Sequence, residues 1–356
     1  ILDMANNHQG DVEHGLNIVR SFAKVVKDRG ARAALKFQFR QLDTFIHQDH
    51  HKDSDHKQVQ RFLSTRLPWD KFQALLDEVR SQGLVTMCTP FDEASVDIIC
   101  DMGFDVIKVA SCSGKDWPLL EKVADADKPV IFSTGGLTLR DIDNLVSFFQ
   151  HRGVHFAIMH CVAIYPTPDE NMNMRQIGLL RSRYPGIHVG WSTHESPSDM
   201  TPVQLAVALG AELFERHVGI ATKNTPLNAY SSTPEQIAEW ISSKQRAQVL
   251  CGPRERQPAS AAEQSAIDGL KRGVYAKRKI RKGAVIEGDQ VYFAIPYIEG
   301  QLDSGNFKPG IVSKTEVSAN KPIFADQVDL PGSEDELVIK HAVHEVKAML
   351  NEARIH

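Results

Sequence analysis

The chain has 356 residues, and at about 150 residues per domain this length suggests two domains, although one (β/α)₈ barrel alone occupies about 250. Hydrophobic residues make up 42% and charged residues 24% of the sequence, a balance that excludes an intrinsically disordered chain. The 41 basic and 45 acidic residues give a net charge of −4, so we expect neither nucleic acid nor an anionic membrane as a partner. The apolar runs are strand-sized, which excludes a membrane-spanning helix.

The five cysteines are an odd number and show no CxxC spacing, which argues against a disulfide framework and against structural zinc. They are Cys88, Cys100, Cys112, Cys161 and Cys251. The first residues also lack the charged start and long apolar run of a signal peptide. We therefore expect a reducing, cytoplasmic location.

Short β-branched or apolar runs recur through the first 250 residues, and each is followed by a segment with helical periodicity. The predicted strands cover residues 1–4, 33–37, 85–88, 106–109, 130–133, 156–159, 188–190 and 213–216. The predicted helices include residues 12–29, 69–82, 94–102, 139–151, 202–209 and 234–250. Eight such alternations predict a parallel sheet closed into a (β/α)₈ TIM barrel over residues 1–252. The alternative is a doubly wound open sheet, but no GxGxxG follows the first strand.

The pattern changes after residue 252. Residues 253–270 are rich in Pro, Ala and polar side chains and are predicted to be a linker. Short strands at 273–276, 291–294 and 311–312, separated by turn signals, predict a small β-rich domain over residues 271–332. Apolar residues at helical spacing predict a C-terminal helix over residues 333–356.

A polar group follows each predicted barrel strand, where catalytic groups of such barrels lie. These groups are Asn6-Asn7-His8, Lys36 and Gln38, Thr89 and Asp92, Lys108 and Ser111, Ser133-Thr134, His160-Cys161 and Tyr165, Ser192 and His194, and Glu215 and His217. A polar residue at the end of one strand is common and indicates little, but polar residues at the ends of all eight strands predict a functional site at this rim.

Lys36 and Lys108 lie within or beside apolar strands, where a buried ammonium group needs an anionic partner. Together with hydroxyls of neighbouring strand ends, they favour a cradle for phosphate and carboxylate. The simpler alternative for a single lysine at a strand end is that its amine extends to solvent and binds no ligand. The other chemistry left open is a Schiff-base aldolase with Lys108 as the nucleophile.

His194 and His217 end adjacent predicted strands, which indicates a pair of imidazole metal ligands, although a buried histidine is more often a satisfied core residue. The His-rich segment 47–56 lacks apolar anchors and is predicted to be a solvated loop after the second strand, with a lid as the alternative. The basic run 277–282 lacks interleaved aromatic residues and is predicted to be a solvated turn.

Several motifs in order resemble the sialic acid synthases and their spore-coat-polysaccharide relatives over about residues 1–330. The motifs are NNHQG (6–10), LKFQ (35–38), TPFDE (89–93), KVAS (108–111), STGG (133–136), HCVAIYPTP (160–168), GWSTH (190–194) and ERH (215–217). The resemblance implies a TIM barrel followed by an antifreeze-protein-like (SAF) domain. It also implies a domain-swapped homodimer that condenses phosphoenolpyruvate with an N-acylated aminosugar.

The resemblance assigns roles residue by residue. The residues it implies for the phosphoenolpyruvate site, with the last two nearby, are Lys36, Thr89, Lys108, Ser111, Ser133, Ser192, Gln38 and Tyr165. His194 and His217 match the two histidines that hold a divalent cation, Mn²⁺ or Mg²⁺. The groups that it implies take part in catalysis are Asp3, Lys108, His194 and His217.

The sequence departs from the family pattern mainly on the acceptor side. Asp3 stands where the family has Glu, and Ser113 replaces a family Glu. Leu227 lies in a segment where an Asp is missing, and Ile295 aligns with an Arg that contacts the acceptor's N-acetyl group in sialic acid synthases. These changes predict a different acceptor, and they leave open a non-catalytic or regulatory protein that keeps the anion pocket.

Overall fold

The computed structural model describes residues 1–52, 54–223, 226–329, 343–347 and 349. The chain forms two compact units, Ile1–Gly252 and Pro253–His356. In the first unit, eight parallel strands close into a barrel in sequence order, with β1 also pairing with β8. The strands are β1 (Leu2–Asp3), β2 (Ala34–Phe39), β3 (Val85–Pro90), β4 (Val106–Val109), β5 (Val130–Ser133), β6 (Phe156–Cys161), β7 (His188–Thr193) and β8 (Leu213–His217). The predicted TIM barrel is confirmed.

Ten helices of the first unit fall within the described residues. They are α1 (Val12–Asp28), α2 (Leu42–Phe45), α3 (Lys57–Ser64), α4 (Trp69–Ser81), α5 (Glu93–Asp101), α6 (Trp117–Ala124), α7 (Leu139–His151), α8 (Gln176–Arg183), α9 (Thr201–Ala208) and α10 (Pro234–Cys251). The six predicted helices are present, within one residue at each end. No helix in these parts of the chain is both long and apolar enough to cross a membrane.

Helices α2 and α3 flank the predicted solvated loop over residues 47–56. The described residues of this loop are mostly exposed and contain one short 3₁₀ turn (Gln48–His50), and Asp53 lies outside the described residues. The side chain of His47 caps the turn by accepting a hydrogen bond from the amide of Asp49. These elements are too short for periodicity to reveal them from sequence.

Successive side chains of β2 alternate between the helical layer and the barrel interior, so the packing residues and the site residues lie on opposite faces of the strand. Leu35, Phe37 and Phe39 belong to the main core, where Phe39 contacts Phe72 and Phe104 on the helical layer. Residues of the opposite parity point into the barrel. A separate apolar cluster includes Ala34, Met87, Ile131, Ala157 and Met159, residues that face the barrel interior by this alternation. This apolar cluster fills the barrel interior below the polar side chains, which follow it on the same faces of the strands.

The second unit contains two small antiparallel sheets, one of β10, β12 and β13 and one of β9 and β11. Its strands are β9 (Gly273–Ala276), β10 (Val285–Ile286), β11 (Val291–Ala294), β12 (Ile311–Ser313) and β13 (Val328–Asp329). They surround a core that includes Val274, Ile286 and Ile323. The predicted small β-rich domain is confirmed, whereas its antifreeze-like character stays a prediction.

The predicted linker contains the exposed helix α11 (Ala261–Asp268), whose first turn is capped by the hydroxyl of Ser260. The Pro- and Ala-rich composition concealed it, because an exposed helix needs no apolar stripe. Most of the predicted C-terminal helix over 333–356 lies outside the described residues. Residues 343–347 are helical.

Candidate active site

A cavity of about 790 Å³ opens at the carboxyl ends of the barrel strands. It is lined by every side chain that the sequence assigned to the site: Asp3, Lys36, Gln38, Thr89, Lys108, Ser111, Ser133, Tyr165, Ser192, His194 and His217. The structure therefore brings all of these residues together, and their individual roles stay predictions. Four other residues predicted at the rim do not line this cavity: His8, Asp92, Thr134 and His160. His160 directs Nε2 to the carbonyl of Met172, and His8 packs edge-on against Phe72.

The floor of the cavity carries a buried cluster of four charges. Lys36 Nζ lies 2.8 Å from Glu215 Oε1 and 3.0 Å from Asp3 Oδ2, and Lys108 Nζ lies 3.7 Å from Glu215 Oε2. All four side chains are at least 95% buried. Two ammonium groups thus balance two carboxylates, as buried charges require.

The two lysines of this cluster have opposite pKa shifts. Burial alone would lower the pKa of Lys36, but Asp3 and Glu215 more than offset burial and raise it above its ordinary value. Burial dominates for Lys108 and lowers its pKa, because Glu215 is farther away and Lys36 repels it. Burial opposes ionisation of Glu215, yet the two lysines hold its pKa well below the usual range. Lys108 is therefore the more readily deprotonated amine.

The sequence placed Glu215 at the barrel rim but assigned it no role in the site. It accepts hydrogen bonds from Lys36 Nζ and, at 3.4 Å, from Ser192 Oγ, while its buried Oε2 makes no hydrogen bond within the described residues. Two lysines predicted to face one cavity require counter-charges. Because Glu215 shares the strand face of His217, that requirement could have identified it from sequence.

Hydroxyl groups surround the amine of Lys108. Its Nζ donates to Ser133 Oγ at 2.5 Å, and Ser111 Oγ accepts a hydrogen bond from the amide of Gly135 at 3.0 Å. A Cβ at position 135 would lie 2.7 Å from Ser111 Oγ, so this close approach requires glycine. Thr89 Oγ1 is buried and has no hydrogen-bond partner among the described residues. Such an orphaned hydroxyl fits a donor that awaits a ligand.

Two imidazoles face each other on the wall formed by β7 and β8, with ring centroids 5.4 Å apart. His194 Nδ1 donates to the carbonyl of Val162 at 2.8 Å, which leaves Nε2 as the nitrogen with the lone pair. His217 Nδ1 lies 3.3 Å from Asp3 Oδ2. Burial lowers the pKa of both rings, that of His194 to about 3 with repulsion from His217 adding to the effect.

These two neutral rings suit a divalent cation, because metal-bound histidines direct the other ring nitrogen to a carbonyl or carboxylate in this way. No group of three or more His, Cys, Asp or Glu side chains suited to a metal occurs in the part of the chain that the structure describes. Within the described residues the two imidazoles are therefore the candidate ligands, and water or substrate would supply the rest.

The acceptor-side changes lie in different places. Ser113 is buried in a 3₁₀ turn and does not line the cavity. Leu227 packs against Gly219, whereas its neighbour Asn228 lines the cavity. Ile295 belongs to the second unit and is 65% exposed.

The cavity's upper wall contains Arg40, which the sequence reasoning did not single out. Arg40 also lines a side pocket of about 280 Å³, together with His8, Trp69 and Phe72. The guanidinium is stacked by Phe62 and Phe91, with its carbon 4.1 and 3.6 Å from the ring centroids.

The closed barrel and the charged cavity at its carboxyl rim define an enzyme of the (β/α)₈ class. The profile of the NeuB family matches residues 23–256, and the chain belongs to this family.

Named relatives are similar over both units. A solved structure of a putative spore coat polysaccharide biosynthesis protein E from Chromobacterium violaceum is 43% identical with a TM-score of 0.90, and covers 92% of this chain and 98% of that chain. The spore coat polysaccharide biosynthesis protein SpsE of Bacillus subtilis is 28% identical over 86% of this chain and 84% of that protein. The N-acetylneuraminate-9-phosphate synthase of Homo sapiens is 25% identical over 82% of this chain and 81% of that protein.

Proposed function

We propose that this protein is a divalent-metal-dependent synthase that condenses phosphoenolpyruvate with the aldehyde of an open-chain, N-acylated aminosugar. The product is a sialic-acid-like keto sugar acid for surface polysaccharide. The observation that carries the proposal is the pair of buried lysines, Lys36 and Lys108, at the floor of a hydroxyl-lined barrel cavity. Relatives named as sugar acid synthases support the reaction class.

The lysines would bind the phosphate and carboxylate groups of phosphoenolpyruvate. Lys36 uses two of its three N–H donors on Asp3 and Glu215, which leaves one for the substrate. Lys108 is held less tightly by Glu215 and can move its ammonium group onto an oxyanion together with the hydroxyls of Ser133 and Thr89. Charge-assisted contacts of this kind are the stronger class of hydrogen bond.

In the proposed reaction, C3 of phosphoenolpyruvate bonds to the aldehyde carbon and the aldehyde oxygen takes up a proton. Water then adds to the cationic C2 and loses a proton; the bond between C2 and the phosphate oxygen breaks, the departing phosphate takes the proton of the new hydroxyl, and the keto group forms. Burial opposes ionisation of Glu215, but the two lysines hold its pKa well below the usual range, so this carboxylate stays ionised and is a poor acceptor for that proton. Its negative charge instead favours a cation nearby.

His194 and His217 would hold Mn²⁺ or Mg²⁺ through their Nε2 atoms. When bound there, the cation supplies Lewis acidity to the acceptor's carbonyl oxygen. Val162 fixes the His194 tautomer, and Asp3 orients His217. Asp3 thereby links the metal side of the cavity to Lys36, consistent with a role in catalysis. A domain-swapped homodimer and a cytoplasmic location complete the proposal.

The lowered pKa of Lys108 favours one alternative, a Schiff-base aldolase, because a buried neutral amine is nucleophilic. Phosphate release separates the two reactions. We would incubate the protein with phosphoenolpyruvate, Mn²⁺ and a panel of N-acylated aminosugars, and run matched samples with EDTA, with Lys108→Met and with the surface variant Lys27→Met.

Sugar-dependent phosphate release that EDTA and Lys108→Met abolish, and Lys27→Met does not, supports the synthase. Borohydride-dependent inactivation by a carbonyl substrate, without phosphate release, would instead identify the aldolase. Phosphoenolpyruvate binding without either reaction would favour the non-catalytic alternative.

A further inference from the structure

Strand β2 and the residue after it direct three polar side chains into the barrel, one at every second position. Lys36, Gln38 and Arg40 alternate with the core residues Phe37 and Phe39 and line the same cavity. Each step of two residues along a strand covers about 6.6 Å, so Arg40 lies about 13 Å above Lys36 along the strand. The lysine thus belongs to the cavity floor and the arginine to its rim.

Arg40 is a largely buried cation without an anionic partner. It forms no ion pair within the described residues, and its buried Nε makes no hydrogen bond there. Nη2 donates to Gln38 Oε1 at 3.2 Å, and the rings of Phe62 and Phe91 pack against the guanidinium. With both rings against it, the guanidinium would bind a ligand through the N–H groups that the rings leave uncovered. Burial lowers the pKa of Arg40 to about 10, and the acidic groups nearby do not offset this.

The charges that line the cavity are unevenly distributed. The described lining contains two carboxylates, Asp3 and Glu215, and both are engaged at the floor by Lys36, Lys108 and His217. The upper wall adds Arg40 and Arg61, with no carboxylate of its own among the lining residues. The floor is therefore balanced, whereas the rim carries an excess of positive charge.

The side pocket beside Arg40 supplies another donor. His8 Nδ1 accepts a hydrogen bond from the amide of Gly10, so the proton of this ring is on Nε2. Burial lowers the pKa of His8 to about 4, which keeps the ring neutral. The rest of this pocket mixes apolar side chains, among them Leu67, Trp69 and Phe72, with polar ones such as Thr65 and Arg66.

We propose that Arg40 selects an acceptor with an anionic group, phosphate or carboxylate, at the end remote from its aldehyde. This inference rests on the proposed function, since an acceptor whose aldehyde carbon reacts at the floor extends its other end toward the rim. There the N–H groups of Arg40 bind two oxygens of the anion, and the side pocket takes the adjoining part of the acceptor. Arg40 is then a specificity residue and leaves phosphoenolpyruvate to the lysines.

The test compares three N-acetylated aminosugars that differ only at the remote carbon: neutral, 6-phosphorylated and oxidised to the 6-carboxylate. Their binding is titrated onto enzyme loaded with Mn²⁺ and phosphoenolpyruvate, and kcat/KM is measured by phosphate release. The proteins are the native chain, Arg40→Met, Arg40→Lys and the charge-matched surface control Arg32→Gln. The methionine retains a stem for stacking between the rings, and the lysine retains charge without the two-pronged edge.

For the native protein we expect an anionic acceptor to bind at least tenfold more tightly than the neutral one, which is about 1.4 kcal/mol. Arg40→Met should remove this preference with less than a twofold change in the KM for phosphoenolpyruvate. Arg40→Lys should retain part of the preference for the anionic acceptor, and Arg32→Gln should retain all of it. Preference for the phosphate over the carboxylate, or the reverse, identifies the anion.

Equal binding of neutral and anionic acceptors, or an anionic preference that survives Arg40→Met, would overturn the inference. So would an Arg40→Met defect confined to phosphoenolpyruvate, because it would place the guanidinium at the floor. Failure of the proposed function looks different: phosphate is released with none of the sugars. The binding titrations still decide the role of Arg40 in that case, since they do not require turnover.

Discussion

Replacing Lys36 with methionine tests the charge cluster at the cavity floor most directly. At an effective dielectric constant of about 20, ions 2.8 Å apart attract by about 6 kcal/mol and ions 3.0 Å apart by about 5.5 kcal/mol. Desolvation of three buried ions opposes this attraction. Removing one member of such a cluster destabilises proteins by about 3–5 kcal/mol, and we expect Lys36→Met to fall in this range. Glu215 would then retain Lys108, at 3.7 Å, and Asp3 would retain the imidazole of His217, at 3.3 Å.

The same substitution should weaken phosphoenolpyruvate binding by about 1.5–3 kcal/mol, the value of one hydrogen bond to a charged group, or about 10- to 150-fold in Kd. Urea denaturation gives the stability, and calorimetric titration at a temperature where the variant is folded gives the Kd. Lys108→Ala should weaken binding by a similar amount.

A double variant separates the two effects. Adding Glu215→Gln to Lys36→Met removes one of the uncompensated carboxylates, so much of the lost stability should return. Binding of phosphoenolpyruvate should stay weak, because the missing ammonium donor is not restored. Native-like Kd values for Lys36→Met and Lys108→Ala would refute the assignment of the lysines. Recovery of native affinity in the double variant would show that net charge alone, rather than a Lys36 contact, controls binding.

Three further outcomes are expected. Elemental analysis should find stoichiometric Mn²⁺ or Mg²⁺ after loading the native protein and none after His194→Ala or His217→Ala; full metal content in the double variant would contradict the site. The family resemblance implies that Ile295 takes the place of an Arg that contacts the acyl oxygen of the acceptor; N-acetylmannosamine should then be a poor acceptor, because an unpaired polar atom costs about 1–3 kcal/mol, and turnover at about 1–10³ per second would refute this. Asp143→Asn should lower the unfolding free energy by up to about 1 kcal/mol at neutral pH, because the hydrogen bond from Arg183 keeps the pKa of Asp143 below its ordinary 3.8. The native carboxylate loses this contribution as pH falls below that value, so the difference between the two proteins should shrink in acid; a difference unchanged near pH 3 would refute the pair.

The barrel could be predicted because local and global signals agree along the first unit. Glycines with positive φ, such as Gly30 and Gly153, follow helices and precede strands, as αL C-caps do. Apolar runs of strand length fixed the eight strands to within a few residues. The lysines stood out for the opposite reason: Lys36 and Lys108 interrupt those runs, and burial of a charge requires a functional or structural partner.

The parts that sequence reasoning missed depend on long-range partners. Arg40 is stacked between Phe62 on α3 and Phe91 after β3, so nothing near Arg40 in sequence marks it as a buried cation. His160 was expected at the rim because it ends a predicted strand. The inward parity of β6 falls instead on Met159 and Cys161, and His160 packs beside Trp191.

On strand β8, a single pairing register is required both by the packing of the barrel and by the active site. Glu215 and His217 point into the cavity, whereas Arg216 is fully buried on the opposite face, where it pairs with Glu195 at 3.1 Å and donates to the carbonyl of Ser196. A slip of one residue would exchange the two faces. It would place a guanidinium beside Lys36 and Lys108 and separate Arg216 from Glu195, so two buried charge clusters would break at once. The pairing that neutralises the cavity floor therefore also fixes the strand that carries an imidazole of the proposed metal site.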